Sequence, residues 1–253
     1  MLLDVFNRLI QSQEDTARSY EILEEMISLR ASFLLERVFE GMELNFDQAI
    51  NLLRNSNEFV TLQQKEERDI LVAAINNLVD FAAAEEYTLV KELPNEIDIE
   101  HPELYESLCK QYNEVYASRE NEDVSQAALM AAWWITVPPD TLITYMTQGD
   151  ERVRAWHLSM EGLTFPKRDF PEALIPPIEH GCRCYLITDG SVPHVSAALN
   201  NDDYVEKVNP VFRESLARKG RIFSSSHSYF KHPLPKRVKL MVKRIKEKLF
   251  IWT

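Results

Sequence analysis

Residues 149–185 read GDERVRAWHLSMEGLTFPKRDFPEALIPPIEHGCRCY, and this stretch decides what kind of fold the chain takes. It carries no sustained helical period. Prolines at 166, 171, 176 and 177 each remove a backbone donor and fix φ, so no helix can run through them. Residues 162–180 are expected as a long irregular loop. Tyr185-Leu186-Ile187-Thr188 then reads as a short strand. A loop of this length is either functional or pinned by something. The pins on offer are His157 at one end and His180, Cys182 and Cys184 at the other.

Cysteines at i and i+2 on a strand point to one face. Disulfide geometry is strict in Cα separation and dihedral, and such close neighbours seldom meet it. Two thiols side by side suit a soft metal better. Zinc takes thiolates at ~2.3 Å and imidazole at ~2.0 Å, usually four ligands in a tetrahedron. On a straight strand His180 and Cys184 stand ~13 Å apart at the backbone, so Gly181 has to bend the chain for both to reach one ion. His157 would arrive from across the loop. Such a four-ligand shell leaves no open position, so zinc is the candidate cofactor in a structural role. Two other readings stay open. In one, His157 hydrogen-bonds within the fold, the cysteines are small buried hydrophobes, and Arg183 makes structural contacts. In the other, a cysteine is a nucleophile with His157 or His180 as its base, and Glu161 pairs with His157 across one helical turn. There is no HExxH, no GxSxG and no recognisable triad order, so enzymatic activity is not expected.

Upstream, residues 1–120 read as an acidic helical region. Leu71, Ala74, Ile75, Leu78 and Ala82 recur at helical spacing, as do Tyr20, Leu23, Ile27 and Leu34, and Leu104, Leu108, Tyr112 and Val115. Gly41 marks a turn. Most acids fall between these stripes, as on solvated helix faces. Cys109 reads as an inert thiol. Asp123 with Gln126 three residues on has the pattern of a capping box. The helix it opens must stop at Pro138-Pro139, and Trp133 and Trp134 read as core anchors. Residues 121–190 form the expected core with the His/Cys motif. Residues 191–253 form a basic extension ending in a helix opened by Pro235 at its first position. Val238, Met241, Val242, Ile245 and Leu249 give that helix an apolar stripe. The fold class is therefore α+β, mainly α: a helical N-terminal region, a small mixed core with a Pro-rich loop and a short strand, and a basic C-terminal helix.

The net charge of −12 over 253 residues hides a strong polarity. Residues 1–130 carry −17, residues 131–204 carry −5, and residues 205–253 carry +10. The basic end can face nucleic acid, an acidic protein surface or the acidic half of its own chain. Lys236, Arg237, Lys239, Lys243, Arg244 and Lys246 are the candidate DNA contacts. They would meet phosphates without reading base edges. Six scattered glycines form neither GxGxxG nor GxxxxGK[ST], which excludes the common phosphate-cradling loops. No apolar run approaches the ~20 residues that cross a bilayer, so no membrane partner is expected. Asp4 and Arg8 interrupt the apolar N-terminus, unlike a signal peptide. Three cysteines are too few for a secreted disulfide scaffold, and a reducing cytoplasm is the expected setting.

The stretch also resembles the phage head-morphogenesis family, the Mu F-like minor head proteins. Arg152-Val153-Arg154, His157, Gly162, Pro176-Pro177 and Cys182-Arg183-Cys184 follow the family order, after a Thr147-Gln148-Gly149-Asp150 lead-in. Two features depart from it: His180 stands two residues before Cys182, where many members place it three before, and Gly181 fills a slot that is often Asn. The resemblance implies a minor head protein inside the procapsid at the portal vertex, aiding head assembly and DNA packaging or ejection. Its implied partners are the portal protein, other capsid or scaffold proteins and, without sequence preference, phage DNA. Its implied location is the virion head interior, with the host cytoplasm during assembly and a phage or prophage as source. A metal-dependent hydrolase or nuclease on the same cluster, and a metal-free adaptor, are the alternatives.

Overall fold

The computed structural model describes residues 1–54, 61–188 and 201–251. Four helices come first: α1 (Leu2–Gln11), α2 (Thr16–Gly41), α3 (Phe46–Arg54) and α4 (Leu62–Lys91). The Asp15 carboxylate caps α2 by accepting from the Ala17 and Arg18 amides, and the Thr61 hydroxyl caps α4 by accepting from Gln64. These bonds satisfy donors that a helix start otherwise leaves open. A short α5 (Glu106–Lys110) passes into a π-helical segment, Gln111–Tyr116, and then into α6 (Ala117–Thr136). The helix stops before Pro138-Pro139, as expected.

The periodic residues of α2 and α4 are buried, among them Leu23, Ile27 and Leu34, and Leu71, Ala74, Ile75, Leu78 and Ala82. The third stripe behaves differently. Tyr112 is buried, but Leu104 and Val115 are 62% and 60% exposed. Leu104 lies in a separate 3-10 turn, Pro102–Tyr105, before α5, whereas Val115 lies in the π-helical segment. Its i→i+5 bonding widens the turn, so a 3–4 spacing no longer marks one face. At the end of α2, a Cβ on Gly41 would stand 2.7 Å from the Ala128 Cβ and 2.9 Å from the Ser125 carbonyl oxygen. The glycine thus serves the close approach of α2 to α6, as well as preceding a turn.

Acidic residues are not all on solvated faces. Arg30, Glu85, Glu86, Glu120 and Asp123 are buried. Arg30 Nε lies 2.7 Å from Glu85, its Nη2 lies 2.6 Å from Glu120, and its Nη1 donates to Asn121. Burial works against the Arg30 charge, and the Glu85 and Glu120 carboxylates more than offset it. One guanidinium cannot neutralise three carboxylates. Burial pushes Glu85 well above its ordinary range and Glu86 to about 7.

A three-stranded antiparallel sheet follows, in the order β2-β1-β3, from β1 (Leu142–Met146), β2 (Thr164–Pro166) and β3 (Tyr185–Ile187). Ile143 faces Phe165 and Tyr145 faces Leu186, and all four are buried. A single helical turn, α7 (Ala155–Leu158), lies between β1 and β2. The architecture is α+β and mainly α. Residues 162–180 hold β2 and two 3-10 turns rather than a wholly irregular loop.

After α8 (Asn201–Lys207), the irregular chain to residue 235 is clamped by the buried Asn77. Its side chain accepts from the Ile222 and Phe223 amides and donates to the Phe223 carbonyl. The last helix, α9 (Lys236–Ile251), starts one residue after Pro235. Val238, Met241, Val242 and Ile245 are buried, and α9 packs on α4 and α2. The helix α6 runs through residues 120 and 121, and the division placed at 190/191 lies outside the described residues.

Candidate metal centre

The sheet and α7 bring His157, Cys182 and Cys184 together in the interior. Their ligand atoms all lie within 4.8 Å of one another, and all three residues are buried. His157 Nδ1 is 3.2 Å from Cys184 Sγ and 3.9 Å from Cys182 Sγ. An S–N edge around tetrahedral zinc is about 3.6 Å, from the usual bond lengths, so the two distances bracket it. The group could hold a metal ion, and two thiols with one imidazole form a soft donor set.

Supporting contacts fix each ligand. Glu179 Oε1 sits 2.5 Å from His157 Nε2 and 2.9 Å from Arg154 Nε. The Glu179 carboxylate stands at Nε2 in ion-pair range without hydrogen-bond alignment, and the other ring nitrogen, Nδ1, faces the two sulfurs. Arg154 also donates to the His180 carbonyl at 2.8 Å. The hydrogen bond between the two thiols raises Cys182 well above the ordinary range and lowers Cys184. The buried Tyr145 hydroxyl and the Arg154 charge add to the lowering at Cys184.

His180 does not join this group. Its Nδ1 is 2.7 Å from Asp123 Oδ2, and its ring packs edge-on against Phe212. The expected four-residue set is therefore three residues. The cause is Asp123, which is not a helix cap but a buried carboxylate inside α6. Its second oxygen accepts from the Gly181 amide at 2.7 Å. Gly181 does bend the chain, at φ +69°, but the bend carries His180 toward α6 and away from the cysteines. Gln126, the other half of the expected capping box, donates to the Cys184 carbonyl at 2.6 Å. Glu161 is not paired with His157 either: it accepts from the Thr147 hydroxyl.

The other motif residues frame the same place. Gly162 at φ +85° donates to the Tyr145 carbonyl at 2.9 Å, tying the turn to β1. A side chain there would be strained. Pro176 and Pro177 are buried. Arg183 points outward to both oxygens of Asp150, at 2.7 and 2.8 Å. Arg152 is exposed, and its amide donates to the same carboxylate. The cavity beside the cluster measures about 10 Å³, and Arg152, Arg183 and Gln148 help to line it. That volume is about the least that holds one water.

The candidate DNA contacts divide. Arg244 pairs with Glu24, and Lys246 lies 2.7 Å from Asp80, so these two tie α9 to α2 and α4. Arg237 covers the Tyr20 ring at 4.0 Å. Lys243 pairs within α9 to Glu247 at 3.6 Å. Lys236 and Lys239 are exposed, without an ion-pair partner among the described residues. Cys109 is buried, and burial beside Glu86 pushes its thiol up to about 12.

Asp123, Gln126, Glu179 and Tyr145 were not predicted as parts of the site. Glu179 directly precedes His180, an acid among metal-ligand types. The other three are distant in sequence and carry no local signal.

No protein family model matches the chain, and no solved structure matches it. A 44-residue segment is 48% identical to part of an uncharacterized protein of Methanocaldococcus jannaschii. The match spans 17% of this chain and 7% of that relative.

Proposed function

We propose that this chain is a phage minor head protein, docked at the portal vertex and braced by a structural zinc on His157, Cys182 and Cys184. One observation carries the reading. Arg152, Val153, Arg154, His157, Cys182, Arg183 and Cys184, which carry most of the resemblance and span 33 positions from Arg152 to Cys184, line one small cavity at the buried cluster, with Glu179 behind His157. A zinc there would clasp both ends of the Pro-rich segment to the sheet. The acidic bundle offers a docking face, and the outward lysines of α9 can meet DNA phosphates.

A metal-dependent hydrolase is the second reading, because three protein ligands leave a coordination position for water. The cavity of about 10 Å³ has no room for a substrate group beside the ion, which favours the structural role. The test is co-purification with the portal protein of the same phage, by size exclusion with light scattering. The reading predicts a complex of defined mass. Two separate peaks at high concentration, with both proteins folded, would overturn it.

A further inference from the structure

A second site lies on the other side of His180. A cavity of about 550 Å³ opens between the π-helical segment, α6 and the chain around residues 227–232. That volume is in the range of small-molecule sites. Its wall is unusual for two reasons. Tyr112, Val115 and Tyr116 all come from the π-helical segment, a geometry that recurs at functional sites. Three of the chain's six histidines, His180, His227 and His232, meet there.

The charges at the cavity are sorted. The acids are engaged: Glu120 holds Arg30 and the Tyr229 hydroxyl, and Glu92 accepts from the Tyr112 hydroxyl at 2.6 Å. The cations are not. Arg119 and Lys231 line the same cavity, are exposed, and have no ion-pair partner among the described residues. Burial lowers His227 to about 4, so its imidazole is neutral at neutral pH and serves as a hydrogen-bonding group. Asp123 holds His180 by Nδ1, which leaves Nε2 as its other nitrogen. Tyr116 is 42% exposed and stands edge-on to Tyr112, which steadies its ring. Two uncommitted cations beside a half-open aromatic face match a planar ring that carries an anion.

We infer that this cavity binds a nucleotide, its base against Tyr116 and its phosphate between Arg119 and Lys231. The shared chemistry has two sources, a free mononucleotide or the terminal nucleotide of a strand. The inference does not depend on the zinc or on the portal.

The experiment is isothermal titration of the full chain with adenosine 5′-monophosphate, inorganic phosphate and a 5′-phosphorylated oligonucleotide. One saturable nucleotide site is expected, with phosphate alone at least about tenfold weaker for want of the stacked ring. Arg119→Glu and Lys231→Glu each weaken nucleotide binding by about tenfold or more, and Tyr116→Ser weakens it while leaving phosphate binding unchanged. Lys65→Glu, on α4 and outside the cavity, leaves it unchanged. All four positions are exposed, so melting temperature stays within the wild-type range and folding is checked directly. A 5′-phosphorylated oligonucleotide that binds far tighter than the mononucleotide, and loses that advantage in Arg119→Glu, identifies a strand end as ligand, and equal affinities at the cavity identify a free nucleotide. The inference is overturned if neither the mononucleotide nor the oligonucleotide saturates up to millimolar concentration. It is also overturned if Arg119→Glu and Lys231→Glu bind like wild type.

Discussion

Asp123→Ala removes one carboxylate that holds two groups across 57 and 58 residues of sequence, the His180 ring and the Gly181 amide, each at 2.7 Å. A hydrogen bond to a charged group contributes about 1.5–3 kcal/mol, and loss of the acceptor also strands the donors. Against this stands the cost of burying Asp123 itself. The residue is 1% exposed, and burial raises its carboxyl despite both partners. The net loss is therefore well below the sum, about 3 kcal/mol. For a chain of this length that corresponds to a fall in melting temperature of about 6–12 °C. Asp123→Asn keeps an oxygen for Gly181 and an amide that a switched His180 tautomer can accept from, so it costs about 1 kcal/mol. Urea unfolding of the three proteins at pH 7.5 measures both differences. A loss below 1 kcal/mol for the alanine variant would refute the reasoning, because it would mean that the loop is held without α6.

Glu86 makes stability depend on pH. Its folded value of about 7 lies above the ordinary 4.5, so its protonated form is the one the fold prefers. That stability is fully present below pH 4.5 and is lost as pH rises through 7. Glu86→Gln therefore gains on wild type by about 3 kcal/mol between pH 4.5 and pH 8, and a difference independent of pH in denaturation curves would contradict this. On α9, deleting residues 233–253 would remove the buried Val238 and Met241 and uncover the faces of α4 and α2 beneath them as well as remove charge, so point variants test DNA contact more cleanly. The combined Lys236→Glu, Lys239→Glu and Lys243→Glu protein should lower the salt slope of DNA binding by about 3 if these residues meet phosphates. An unchanged slope in a filter-binding series would remove α9 from the contact.

Periodicity made the long helices legible, because α2 buries one side on its neighbours and leaves the other to solvent, although α4 is enclosed on nearly every side from Phe81 to Leu89. It could not show the buried charges. Arg30, Glu85 and Glu120 satisfy one another across 55 and 90 positions, and nothing local distinguishes them from surface acids. The His/Cys cluster was legible from residue type and spacing as far as His157, Cys182 and Cys184. His180 was misplaced because the bend at Gly181 was read for its direction along the strand, while Asp123 on α6 sets where the ring goes. Strand β2 was missed because three residues set among turns, the last of them a proline, carry no period, and β1 because it buries three successive side chains, Ile143, Thr144 and Tyr145, instead of alternating. Thr144 and Thr164 satisfy each other's hydroxyls at 2.8 Å, so the sheet holds polar residues inside and shows little alternation.

The claim that decides the account is that His157, Cys182 and Cys184 hold a metal while His180 does not. Elemental analysis of folded, desalted protein tests it directly. One zinc per chain is predicted for wild type and for His180→Asn, which keeps a donor for Asp123, and loss of zinc is predicted for Cys182→Ser and His157→Ala. A metal-free wild type, or a His180→Asn protein that loses zinc as fully as Cys182→Ser, would contradict it.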